Sequence, residues 1–268
     1  MEEDIYENLS SVIRNIEKIT YTAIKSSEGI IKTELELYSI SKYNESGSLI
    51  LLGKTNNLLS DKGMIDSGSL YINLYSYEYN KDKMLISERC KSSKGELIHN
   101  LFYEYSPNGD IERANKFNSN GNLISSTFYD EIGNIREINI YKSDNNIDYK
   151  VFSKYDSNNN LVERNTYDLD SNFKQKEIFR YNAKGDKIEY SYFDIDDIMY
   201  SKFITYKYEY DKKDNWIKRI TKDEDNYRIT TRRIVYFGED SENKPSHWKS
   251  PFYYRIKEGK DVNLLNKY

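Results

Sequence analysis

The sequence predicts an all-β protein: an elongated, twisted antiparallel sheet of tandem hairpins, curled into a trough or partial spiral, with a short N-terminal helix. Three observations lead there. A short turn pattern recurs along most of the chain, its spacing is nearly constant, and strand formers such as Tyr, Ile, Thr and Phe outweigh Ala and Leu, with 27 tyrosines among 268 residues.

The turn pattern is clearest in "YEYSPNGDI", Tyr103 to Ile111. An aromatic anchor is followed by Asp, Asn or Ser, and a residue tolerant of positive φ comes four positions after the anchor. An apolar residue follows at six. Anchors fall at Tyr43, Tyr79, Lys91, Tyr105, Phe117, Tyr129, Tyr141, Tyr155, Tyr167, Tyr181, Phe193 and Tyr210, with Lys91 the one non-aromatic. Asp, Asn or Ser at the first turn position folds its side chain onto the backbone ahead and favours a type I turn. Gly, Asn or Asp at the fourth supplies the left-handed residue that such a turn needs when a bulge follows. Each copy therefore reads as a hairpin corner.

From Tyr79 the anchors lie 12 to 17 residues apart, and paired spacings give a two-stranded unit of about 26 residues. Within a strand such as "KIEYSYF", Ile188, Tyr190 and Tyr192 take one side while Lys187, Glu189 and Ser191 take the other. Near the N-terminus, Ile5, Leu9, Val12, Ile13 and Ile16 have helical spacing, which predicts a short amphipathic cap. The chain divides into an N-terminal cap with first strands (1–42), the hairpin array (43–237) and an aperiodic tail (238–268).

Composition narrows the function classes. The net charge of −4, with acids and bases interspersed, argues against a dedicated nucleic-acid binder. Adjacent Arg232 and Arg233 point to opposite faces of a strand and make no single patch. One cysteine, Cys90, excludes an intrachain disulfide framework and a cysteine-based zinc site. The apolar runs are too short for a membrane helix, so no membrane span is expected. The start "MEEDIYENLS" is no signal peptide, and the chain as given reads as cytoplasmic; with a leader removed it would be periplasmic or at the cell surface.

"FNSNGNLI", "YDEIGNIRE" and "YDSNNNLVER" resemble the YD repeats of RHS-type proteins, in which tyrosine–aspartate turns build a spiral β-shell. "YKYEYDKKDNWIKRI", Tyr206 to Ile220, is similar to the last repeat of small Bacteroidetes-type repeat proteins, and "TTRRIVYF" looks like their closing strand. The resemblance covers about residues 20 to 237. It implies a repeat architecture and little about chemistry, although MORN-like hairpin arrays, which these units also resemble, serve as interaction surfaces.

No catalytic constellation is legible. His99 lies mid-strand and reads as a packed residue, and no nucleophile elbow, phosphate loop or dinucleotide fingerprint occurs. "DLDSN" (Asp168, Asp170, Asn172) opens like a calcium loop but has Phe173 and Phe179 where glycine and an acid are needed. The sequence thus calls for no metal and no cofactor. In the tail, His247, Trp248, Phe252, Tyr253 and Tyr254 form the densest non-periodic aromatic cluster and are the expected partner-binding patch. The expected function is a non-enzymatic scaffold binding another protein, as an immunity or adaptor protein for a bacterial toxin or effector. The alternative is a cell-envelope carbohydrate-binding protein. Exposed terminal strands leave homodimerisation through sheet edges open.

Overall fold

The computed structural model describes residues 13–45, 48–55, 70–195 and 202–238. They form sixteen antiparallel strands. The first four are β1 (Ile13–Ser26), β2 (Gly29–Tyr43), β3 (Leu49–Thr55) and β4 (Leu70–Tyr79). β5 (Leu85–Ser92), β6 (Leu97–Tyr105), β7 (Ile111–Asn118) and β8 (Leu123–Tyr129) follow. Next come β9 (Ile135–Tyr141), β10 (Ile147–Tyr155), β11 (Leu161–Asp168) and β12 (Phe173–Tyr181). The last are β13 (Lys187–Asp194), β14 (Lys202–Tyr210), β15 (Trp216–Asp223) and β16 (Asn226–Tyr236). Every strand pairs with its sequence neighbours, and β16 pairs with β1, so the sheet is a closed barrel.

The corners follow the turn chemistry read from sequence. The residue four after the anchor has positive φ at Gly95, Gly109, Gly121, Gly133 and Gly185, and equally at Lys83, Asn145, Asn159, Ser171 and Asp214. The first turn residue accepts backbone N–H bonds from two and four positions ahead. Asp130 Oδ1 accepts from Ile132 and Asn134 at 3.1 and 2.8 Å, and Asn118 Oδ1 from Asn120 and Asn122 at 3.0 Å each. Where Lys142 occupies that position, Asp144 takes over part of the task and accepts from Asn146 N–H at 3.0 Å. Beyond each turn the pairing slips by one residue, as between Glu104 and Tyr105 opposite Ile111. That bulge puts anchor and aliphatic residue on the same face and sharpens the local twist.

Closure overturns the expected open trough or spiral. Strands β1 and β16 run antiparallel from Ile13 opposite Tyr236 to Ala23 opposite Tyr227, and Thr20 and Thr230 share a hydroxyl–hydroxyl bond of 3.0 Å. With β1 and β16 paired to each other, the described strands leave no free sheet edge, so the homodimer that the sequence left open would not form through these edges. The N-terminal helix is also corrected: Ile13 and Ile16 are strand residues, and no helix occurs among the described residues. Ile5, Leu9 and Val12 lie outside them. The helical spacing has a specific cause. A bulge between Ile13 and Asn15 lets Ile13 and Ile16, three apart, face Tyr236 and Ile234, two apart. One inserted residue in a strand thus mimics a helical period.

Packing is split between the two faces of the sheet. On one, Phe179, Tyr190 and Tyr206 are buried with Leu161, Tyr181, Ile204 and Tyr208 packed around them. On the other, Ile19, Tyr38, Ile40 and Leu51 form a cluster across β1, β2 and β3.

Candidate functional site

Following the register around the barrel sorts the side chains. Facing pairs Tyr77–Glu88, Tyr103–Ala114, Ser153–Arg164, Phe179–Tyr190 and Tyr208–Arg219 belong to one face, which carries most strand tyrosines. The opposite face carries Phe102, Phe152, Phe193 and Phe203 and a row of cross-strand ion pairs. Arg113 pairs with Glu104, Lys218 with Glu209 at 2.6 Å, and Arg180 with Glu189 at 3.1 Å. Glu163 is held by Lys154 at 2.7 Å and Lys176 at 2.9 Å; their bonds, with that from Asn165, hold its carboxyl down at about 2.

Tyrosines lace one rim of the tyrosine face. Tyr105 donates to the carbonyl of Leu85 (2.7 Å), Tyr155 to Ile135 (3.0 Å), Tyr181 to Leu161 (2.8 Å) and Tyr208 to Lys187 (2.6 Å). Tyr77 donates likewise to Leu49. Each acceptor sits six residues after an anchor, in the preceding hairpin. The lacing holds half-buried rings at the ends of β4, β6, β10, β12 and β14, about 10 Å apart where two strand spacings separate them. Burial raises the hydroxyl pKa of Tyr105 and Tyr155, and pushes Tyr181 up to about 12, so all remain neutral donors at physiological pH.

At the seam, Trp216 gathers cations. Arg232 lies 3.6 Å from its ring centre, Arg219 5.3 Å and Lys18 5.9 Å. Arg232 is buried here, while its neighbour Arg233 lies on the other face and pairs with Glu17 at 3.7 Å. The two arginines do point to opposite faces.

Among the described residues, Cys90, His99 and Asp168 are buried, packed or held by turn bonds. Cys90, opposite His99, has no exposed surface, so no substrate can reach its sulfur. His99 lies 3.7 Å from Glu88 and edge-on to Tyr75, as a packed residue does. Asp168 accepts from the N–H groups of Asp170 and Asn172 and from the Asn172 amide, which is turn chemistry. Among the described residues no group of three or more His, Cys, Asp or Glu could hold a metal ion. The tail cluster of His247, Trp248, Phe252, Tyr253 and Tyr254 lies outside the described residues.

No protein-family model matches the sequence. No curated protein matches it either. Among solved structures, a porin-like protein from Bacteroides uniformis ATCC 8492 is similar in fold. Its TM-score is 0.53 at 10% identity, over 83% of this chain and 98% of that one. Two weaker likenesses have a TM-score of 0.27 and carry no argument. One is to a TcdB2–TccC3–Cdc42 complex, at 12% identity over 74% of this chain and 12% of that one. The other is to a domain described as an outer membrane lipoprotein-sorting protein from Vibrio parahaemolyticus, at 8% identity over 85% and 88%.

These findings correct three expectations. The YD/RHS and MORN resemblance holds for the corner but not the architecture, because a closed sixteen-strand barrel with a porin-like counterpart is not an open repeat array. The immunity-protein reading, which rested on a repeat architecture, falls with it. The exclusion of a membrane span falls too. It tested helix-length apolar runs only, and although no described helix is long and apolar enough to cross, a closed barrel satisfies its backbone between strands and can cross by them. Both faces carry charge, with Arg164 and Glu177 on one and Glu104 and Arg113 on the other. A lipid-facing band would have to accommodate such groups, at about 2–4 kcal/mol for Arg or Lys at the midplane. The chain shares the closed-barrel fold of a porin-like protein.

Proposed function

We propose that this chain is a non-enzymatic, carbohydrate-binding barrel of the cell envelope. The observation that carries the reading is the tyrosine rim. Rings recur along one face, and on β6, β10 and β12 their hydroxyls are tied to the neighbouring hairpin. Aromatic rings held in a row present apolar faces to the C–H faces of sugar rings. Fixing them beforehand lowers the ordering cost of binding. The fold-level likeness to a porin-like barrel supports an envelope setting. The buried Cys90 and the turn-bound acids support a binding role over a catalytic one.

A glycan array probed with fluorescently labelled protein tests this. One glycan class should be retained. Changing Tyr105, Tyr155 and Tyr181 together to Phe should weaken retention only a fewfold, since the ring faces remain while the bonds that fix them are lost. The same three changes to Leu should weaken it at least tenfold. An array on which the wild-type protein retains no glycan overturns the reading.

A further inference from the structure

Charge is distributed unevenly around the barrel. The chain as a whole has 40 Lys and Arg against 44 Asp and Glu. The four adjacent strands at the seam, β15, β16, β1 and β2, carry eleven Lys and Arg against four Asp and Glu. With their two connecting turns, which add Glu28, Glu224 and Asp225, these hairpins carry eleven cations against seven acids, a local positive excess in an otherwise acidic chain that favours anions.

A cavity of about 510 Å³ opens at this seam. It forms where the long β1–β2 hairpin runs past the shorter β15–β16 hairpin: β1 continues to Ser26, whereas its pairing with β16 stops at Ala23 opposite Tyr227. Lys25, Lys222 and Arg228 line it together with Tyr227, Asn226 and Asp225. The register puts Lys222, Tyr227, Ala23 and Lys32 in one row across four strands, so cations flank an aromatic ring on a single face. Lys32 stands 4.5 Å over the Tyr21 ring. Burial and the charge of Lys218 hold its ammonium below the ordinary range, so positive charge is crowded in this region. Glu36 orients Arg228 through its Nε, at 2.9 and 2.7 Å.

We propose that this cavity binds a saccharide bearing a carboxylate. Lys25 and Lys222 attract the carboxylate, Tyr227 offers a ring face to the sugar on the same side of the sheet, and Asn226 and Asp225 supply amide and carboxylate partners for its hydroxyls. A bare inorganic anion would have no use for a ring or for Asp225, whose charge opposes it; a polyol acid uses all of these groups. The inference rests on the carbohydrate reading and specifies the charge of the ligand and a second contact region, at the seam.

Calorimetric titration of the full chain with trigalacturonate and with its neutral methyl ester tests it. The acid is expected to bind at least tenfold more tightly than the ester, with affinity falling as salt rises. The double variant Lys25→Gln/Lys222→Gln should bring the acid down to the ester's affinity and leave the ester unchanged; unaltered thermal melting would show that it still folds. Equal binding of acid and ester overturns the acidic-sugar site while leaving carbohydrate binding intact. A preference that survives in the double variant overturns this cavity as its source. If neither probe binds, the acidic-sugar site falls; the carbohydrate reading falls with it only if the array is also blank.

Discussion

Replacing Trp216 with alanine is expected to destabilise the barrel by about 3–5 kcal/mol, the cost of truncating a buried tryptophan. The ring is 5% exposed and lies edge-on to Tyr208 at 5.8 Å. It also faces the Arg232 guanidinium at 3.6 Å, a contact that gains strength when desolvated. Its position multiplies the effect. Arg232 comes from β16 and Lys18 from β1, so the ring braces the two strands whose pairing closes the sheet. For a chain of this size, each kcal/mol shifts the melting temperature by about 2–4 °C, so a fall of about 6–20 °C should be seen by circular dichroism. Trp216→Phe should recover part of it. A change below about 1 kcal/mol for Trp216→Ala would show that this cluster does not brace the seam.

The second large effect concerns corners that look alike in sequence. Asp130 and Asp211 occupy the same turn position, and each accepts two backbone bonds ahead of it. Asp211 does more: its Oδ2 accepts from the Tyr236 hydroxyl at 2.6 Å, and that hydroxyl also accepts from the Asn215 amide at 2.7 Å. Asn215 is 2% exposed, so the network cannot turn to water when a member is lost. Asp211→Ala should therefore cost about 3 kcal/mol, against about 1 kcal/mol for Asp130→Ala, in paired urea unfolding curves. Equal losses would reduce Asp211 to an ordinary turn residue.

The contrast shows what the sequence could reveal. Corners were legible because their chemistry is local: the side chain of Asp130 bonds residues two and four ahead. Closure was not legible, because it joins residues 13–23 to 227–236 and depends on strand tilt and stagger, which no short motif encodes. The bulge after Ile13 gives only the start of the first strand a helical spacing; the run from Lys18 to Lys25 reads as a strand in sequence and is one.

The candidate site was legible only in its composition. The tyrosine anchors were visible, and so was the aliphatic residue six positions on. That Tyr181 reaches the carbonyl of Leu161 follows only once each hairpin is known to lie beside the preceding one. The positive excess at the seam is not legible in sequence, because its cations lie in β1–β2 and β15–β16, far apart along the chain. The pair Arg232–Arg233 was rightly divided between faces, but Trp216 beneath Arg232 required the fold.

Closure of the barrel rests on the pairing of β1 with β16. It is tested most directly by placing cysteines at Thr20 and Thr230, whose hydroxyls are 3.0 Å apart across the seam, in a Cys90→Ser background. Facing strand positions bring Cβ atoms within disulfide range. The account predicts near-complete cross-linking under mild oxidation. It would appear as a faster-migrating, reductant-sensitive monomer on non-reducing electrophoresis, because the bond ties off most of the chain as one loop. An open array would leave both thiols free to react with maleimide and the mobility unchanged, and that result would contradict the barrel.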